Sequence, residues 1–279
     1  MADQFQLFTS LRYDPALLAI DQPGHYEWNS EQQSALYMLD YHRDRILRAA
    51  THWRWEKAIA AIEGPEGLAR LETFVTQRIE PQSDGKPMRL KILLSQEGEL
   101  RLEFAHVPPT NLPNLFPQEL PAPGHSSSAS AETETPSGQL RLSPPYDIYL
   151  DSPLTRRSGY THYKTTKREV YDQARQRAGL KPTDATKEVL IVDEASGSIM
   201  EGSLTTPYFW RGGRWVTPPV SKKFSTEVGS GGQDGTTRRW ALERGLAVEE
   251  EVKARDIDDG EAVWLSNGVR GFVFGRIRR

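Results

Sequence analysis

The 279-residue chain contains no cysteine, which excludes a disulfide framework, thiolate metal sites and a cysteine nucleophile. Long apolar runs are missing as well. Stretches such as Ala16 to Ile20 are too short to cross a bilayer. An excess of charge of one sign is also absent, since 35 Lys and Arg against 38 Asp and Glu leave a formal charge of −3. No bulk field therefore draws the chain to nucleic acid or anionic lipid. Met1-Ala2-Asp3-Gln4 has no basic stretch followed by an apolar one, so no secretory signal is expected there. What is present can build a core: 37% of residues are hydrophobic, with seven Trp and ten Tyr. These features predict a cytoplasmic globular protein with no nucleic-acid and no membrane partner.

The clearest break in composition falls at 108–138, which holds seven of the 19 prolines and a serine run. Such a stretch buries too little apolar surface to offset its ordering entropy and reads as a flexible linker. It divides the chain into an N-terminal domain, 1–107, and a C-terminal domain, 139–279. In the first, Ile46, Ala49, Ala50 and Trp53 recur at helical spacing behind Asp40, a plausible N-cap. A second helix is expected after Pro65, with Leu68, Leu71, Phe74 and Val75 on one face. The segment 88–104 alternates about Glu97-Gly98 and predicts a hairpin. In the second domain, 164–179 reads as a helix ending at Gly179. Segment 188–219 reads as successive strands turning at Ser196-Gly197 and Gly212-Gly213. A short helix at 235–246 and two strands joined at Asn267-Gly268 complete it. Helices and hairpins are segregated, so an α+β fold is predicted.

Three features stand out from ordinary surface or core. Residues 229–238, GSGGQDGTTR, form a glycine-rich loop running into a helix, whose N–H groups and dipole suit a phosphate. Thr236 and Thr237 add hydroxyl donors; a solvent loop with a helix cap is the plainer alternative. Lys164 stands just before a helical pattern, where a lysine is ordinarily a solvated charge. Glu201 lies between two strand-like runs, where a carboxylate is ordinarily an exposed turn residue. Together they suggest pyridoxal phosphate chemistry, which needs a Schiff-base lysine, an acid facing the pyridine nitrogen and a phosphate cup.

The order of these motifs resembles that of the fold-type IV pyridoxal-phosphate enzymes, the class IV aminotransferases. His42-Arg43-Asp44-Arg45-Ile46 is similar to the family's HxxRL helix, Glu201-Gly202-Ser203 to its EGS segment, and Gly235-Thr236-Thr237-Arg238 to its phosphate turn. Ser266-Asn267-Gly268 resembles the second phosphate turn. Phe8-Thr9-Ser10-Leu11-Arg12, KTTKREVYD, RWVTPPVS and SNGVRGFVFGRI look like segments of the family's 4-amino-4-deoxychorismate lyase branch. Three features depart from the pattern. Tyr163 stands where similar lyases often have His, and Thr206 where many members carry Asn. The loop between Pro219 and Gly235 is longer and more basic, with Lys222 and Lys223.

The resemblance implies a two-domain, D-amino-acid aminotransferase-like α+β fold, with a small N-terminal α/β domain and a larger β-rich C-terminal one. It implies pyridoxal 5'-phosphate as cofactor, Lys164 as its Schiff-base lysine, Arg45, Thr236, Thr237, Asn267 and Gly268 around its phosphate, and Glu201 on its pyridine nitrogen. Thr9, Arg12 and Arg270 are the expected substrate-binding residues. A small-molecule amine substrate and a homodimer follow from the same likeness, and no metal is expected. A free lysine titrates near about 10.4, so keeping Lys164 reactive near neutrality takes roughly 4 kcal/mol of desolvation and repulsion, for example from Arg45. The expected reaction is lysis of 4-amino-4-deoxychorismate to 4-aminobenzoate and pyruvate. The alternative is transamination of a D-amino acid, a branched-chain amino acid or an (R)-amine. A third reading, a non-catalytic binding protein on the same fold, is motivated by the long loop at 221–234.

Overall fold

The computed structural model describes residues 5–20, 28–82, 84–124, 140, 142, 144–181 and 183–279. The chain forms two compact units. One comprises residues 1–109 with 163–167, the other residues 110–162 with 168–279.

The first unit runs β1 (Leu7–Tyr13), α1 (Trp28–Glu31), α2 (Leu39–His52), α3 (Glu56–Ile62), α4 (Gly64–Ile79), β2 (Met88–Leu94) and β3 (Leu100–His106). The three strands form an antiparallel sheet in the order β1-β2-β3. Leu7 and Leu11 of β1, Leu90, Ile92 and Leu94 of β2, and Ile46, Ala49 and Ala50 of α2 are all buried. β1 was not legible in advance because both of its faces are largely covered, which erases the polar alternation of a half-buried strand. The hairpin at Glu97-Gly98 is present, with Gly98 at φ +82°. α2 begins one residue before Asp40. Met38, at φ +53° in the left-handed region, holds the N-cap position, and Asp40 sits in the first turn, where its charge favours the helix dipole.

The helix expected from Lys164 onward starts only at Glu169, because residues 164–166 are spent on pairing with β1. The Phe8 N–H donates to the Lys164 carbonyl at 3.1 Å and the Thr166 N–H to the Gln6 carbonyl at 2.9 Å. Leu7 and Thr165 face each other across an antiparallel bridge.

The second unit contains α5 (Leu112–Leu115), β4 (Tyr146–Leu150), α6 (Gly159–His162), α7 (Glu169–Arg177), β5 (Lys187–Val192), β6 (Ile199–Gly202), β7 (Thr206–Arg211), β8 (Arg214–Thr217), α8 (Thr236–Glu243), β9 (Val248–Glu249), β10 (Ala262–Asn267) and β11 (Gly271–Ile277). The strands form one mixed sheet in the order β6-β5-β4-β11-β10-β7-β8-β9. β5 is covered on both faces. Leu190 and Val192 join Ile148, Phe209, Val263 and Leu265 in one core, while Val189 and Ile191 pack with Tyr171 and Ala174 of α7 in another. That double burial is why the sequence there is a continuous apolar run.

The linker expected at 108–138 is described only as far as Gly124, and 125–138 lie outside the described residues. Its first part is packed chain, not a free connector. Leu115, Phe116 and Leu120 are buried, Asn114 Nδ2 donates to the Phe272 carbonyl at 2.8 Å, and Trp215 Nε1 donates to the Leu120 carbonyl at 2.7 Å. Three apolar anchors within a proline-rich stretch outweigh its composition. Gly271 makes the close approach possible. It lies at φ +66°, and a Cβ there would sit 2.1 Å from the Asn114 carbonyl oxygen.

Candidate active site

In the first unit, β1, α2 and the Lys164 segment bring three expected residues, Thr9, Arg45 and Lys164, around His42. Odd positions of β1 face α2, so Thr9 meets the helix, and its Oγ1 lies 2.6 Å from His42 Nδ1. Arg45, one turn further along α2, donates from Nη2 to Thr9 Oγ1, and the same nitrogen lies 3.3 Å from His42 Nδ1. Thr9 accepts from the guanidinium, and Nδ1, which a donor-only Arg45 nitrogen also faces, is suited to the acceptor role of a neutral imidazole. His42 is fully buried, and its pKa is held well below the ordinary range, first by burial and then by the charges of Arg45 and Lys164. Lys164 is half-buried, with Nζ 5.0 Å from the centroid of the Phe8 ring.

The neutral His42 has a consequence for stability. Its folded pKa is depressed, so the denatured chain takes up a proton first as pH falls below about 6.5, and the folded state is disfavoured there. Between pH 7 and 5 the melting temperature of the protein is expected to fall more steeply than that of His42→Gln, which has no imidazole to protonate. Parallel slopes in thermal melts would contradict a neutral His42.

Two of the expected substrate-binding residues, Arg12 and Thr9, have partners within the first unit. Arg12 is 1% exposed, pairs through Nε with Asp14 at 2.7 Å and donates to the Pro108 carbonyl at 3.0 Å. Even positions of β1 point away from α2, and this guanidinium is consumed in holding the chain around it. The Thr9 hydroxyl is committed to His42 and Arg45. Arg270 is half-buried beside Tyr146, its guanidinium 5.8 Å from the ring centroid.

In the second unit, Glu201 pairs across the sheet with Ile191, and cross-strand partners share a face, which points the carboxylate towards α7. There Tyr171 Oη donates to Glu201 Oε1 at 2.5 Å and also lies 3.0 Å from the Thr161 carbonyl oxygen. The glycine-rich loop packs directly on β6. Ser230 Oγ donates to the Met200 carbonyl at 3.2 Å, and a Cβ on Gly232 would come within 2.6 Å of that oxygen. α8 starts at Thr236 behind Gly235, which offers no side-chain cap, so its first-turn donors are not spent on one. Thr237 Oγ1 lies 2.8 Å from Ser266 Oγ, which in turn lies 2.9 Å from the buried Tyr208 hydroxyl. The two expected phosphate turns are therefore joined by a chain of hydroxyls.

Ser266 and Tyr208 were absent from the expected site residues, although the Ser-Asn-Gly segment contains the first of them. Gly268 is buried. Asn267 Oδ1 accepts from the Val269 and Arg270 N–H groups at 3.0 and 2.9 Å, so its side chain shapes the turn that carries Arg270. Glu188, not singled out beforehand, is buried and accepts from the Ser203 and Leu204 N–H groups and from the Thr205 hydroxyl, fixing the turn after Glu201. A buried glutamate inside an apolar strand was the signal for it.

The donor sets fit pyridoxal phosphate. The first unit gathers two cations, Arg45 and Lys164, around an imidazole kept neutral. The second offers an uncapped helix start with paired hydroxyls, and a carboxylate that accepts a hydrogen bond from a phenol. Among the described residues no group of His, Cys, Asp and Glu comes together to hold a metal ion, and no helix is long and apolar enough to cross a membrane.

A small antiparallel sheet with its helices and a larger mixed sheet carrying these residues define a fold-type IV pyridoxal-phosphate enzyme. The chain belongs to the class IV amino-transferase family, whose profile matches residues 27–276. It is 26% identical over 200 residues to the aminodeoxychorismate lyase of Saccharomyces cerevisiae, a match taking in 68% of this chain and 51% of that protein. The chain thus accounts for about half the length of that curated relative. Among solved structures it is similar to a Mesorhizobium loti protein assigned as an amino-acid aminotransferase, with TM-score 0.64, 18% identity, and 98% and 100% of the two chains covered. It is also similar to a Haemophilus somnus protein assigned as a 4-amino-4-deoxychorismate lyase, with TM-score 0.53, 14% identity, and 96% and 98% covered. At these identities the structural likeness is one of fold.

Proposed function

We propose that the chain is a lyase acting on 4-amino-4-deoxychorismate, releasing 4-aminobenzoate and pyruvate. The observation that carries the reading is the lysine-centred group of the first unit. Lys164, pinned by its backbone to β1, stands with Arg45 around a neutral His42, and the sequence likeness to an aminodeoxychorismate lyase supplies the substrate.

Within this reading Lys164 is the residue to which the cofactor is linked, and Arg45, Thr236, Thr237 and Ser266 hold its phosphate. When bound, the cofactor supplies an electron sink for the substrate carbon that bears nitrogen. Glu201 keeps the pyridine nitrogen protonated by offering it an anion. Lys164 Nζ would serve as the base that takes the proton from that carbon and the acid that returns one to the departing enolpyruvyl group. Arg270, on the turn shaped by Asn267, is the candidate for a substrate carboxylate, as a planar guanidinium matches that group. Assembly as a homodimer belongs to the same reading.

The test is incubation of the cofactor-loaded enzyme with aminodeoxychorismate and no added keto acid. Pyruvate and 4-aminobenzoate are expected in equal amounts. Product formation that strictly requires an added keto acid would favour a transaminase of the same family, as would bleaching of the cofactor band by an amino donor alone.

A further inference from the structure

Tyr171 is a group in the second unit with more acceptors than protons. It is fully buried in α7, and its single hydroxyl proton faces both Glu201 Oε1, at 2.5 Å, and the Thr161 carbonyl, at 3.0 Å. Gln233 Nε2 donates to the same oxygen at 3.2 Å. Gln233 is itself buried, on a loop locked to the Glu201 strand by Ser230 and by the tight fit of Gly232 over Met200. The other charged group acting on the hydroxyl is Arg168, whose guanidinium lies 4.6 Å from the Tyr171 ring centroid.

A phenol that accepts one hydrogen bond becomes a better donor. With Gln233 on its lone pair, the Tyr171 proton goes to the stronger acceptor, and a carboxylate outranks a peptide carbonyl. The phenol keeps that proton: its pKa is raised well above the ordinary value by burial and by the Glu201 charge. Tyr171 therefore delivers a permanent donor to the carboxylate.

We infer that Tyr171, oriented by Gln233, is a positioning residue that keeps Glu201 ionised and aimed, coupling the glycine-rich loop to the acid that faces the cofactor ring. The inference rests on the cofactor role assigned to Glu201 above. Losing one hydrogen bond to a buried charge costs on the order of ten- to a hundredfold in the equilibrium it supports.

The experiment compares the cofactor-loaded protein with Tyr171→Phe, Gln233→Met and Glu201→Gln. Each is read by the pH dependence of the bound cofactor's visible spectrum and by borohydride trapping of cofactor on Lys164. Removing the donor raises the pH at which the carboxylate protonates. In Tyr171→Phe the acid-side spectral transition and the acid limb of kcat/KM are therefore expected about one to two pH units higher. Gln233→Met should move both in the same direction by less. In the Glu201→Gln background, with no anion left to support, Tyr171→Phe should add nothing. Unmoved profiles in Tyr171→Phe and Gln233→Met, with Lys164 still trapped, would overturn the inference alone. Absence of trapping on Lys164 in the unaltered protein would overturn the cofactor reading beneath it. A Tyr171→Phe protein that does not fold leaves Gln233→Met to decide.

Discussion

Lys164→Ala is expected to leave no cofactor trapped by borohydride and to slow turnover by at least about 10²–10⁴-fold, the range assigned to a single general base. The loss should fall on kcat, because the residue acts on the reacting carbon and contributes little to uniform binding. Peptide mapping of the reduced protein provides a second readout independent of turnover, with the label expected on Lys164. A label on another lysine, such as Lys167 or Lys91, would remove the foundation of the assignment. Stability should change little. The backbone bonds of residue 164 to β1 do not depend on its side chain, and Nζ is only half-buried over Phe8.

Gly271→Ala should have the largest effect on stability. The residue holds a positive φ, and its missing Cβ is the space into which the Asn114–Leu115 backbone fits, with contacts of 2.1, 2.8 and 2.9 Å to backbone atoms that have no flexible end to yield. Strained φ and overpacking together cost about 3 kcal/mol or more. For a chain of this size that corresponds to a fall of roughly 6 °C or more in melting temperature. Gly212→Ala, in an open turn with nothing near its Cβ, pays only the φ strain and serves as the comparison. Equal melting temperatures for the two variants would mean that α5 does not pack on β11 as described.

How much of this was legible in the sequence depended on how many faces each element buries. The hairpin at Glu97-Gly98 and the pair β10–β11 announce themselves through turn residues and alternation. β1 does not, because Leu7, Phe8, Thr9, Leu11 and Arg12 are all buried and its pattern mixes apolar with internally paired polar groups. Prolines at 113, 117 and 121 made 108–124 look like free chain, yet Leu115, Phe116 and Leu120 between them are core residues.

The placement of the site followed the same logic. Lys164 and Glu201 stood out as charges beside structured runs, whereas Arg45 was marked only by the likeness of 42–46 to a family motif. The internal partners of Thr9 and Arg12 depend on a property that a linear motif does not carry, namely which face of β1 a position occupies. Tyr171 went unrecognised, and Ser266 was seen only as part of a turn, because their partners lie 30 and 29 residues away.

The pairing of residues 164–166 with β1 has a further effect, on solubility. A strand at the border of a sheet exposes unpaired amides that can recruit another chain. Here the segment bearing Lys164 covers the Gln6–Phe8 end of that border for the small sheet. Any mutation or proteolytic nick that peels it away would uncover an adhesive edge while displacing Lys164, so damaged molecules should be lost by aggregation rather than persist in solution.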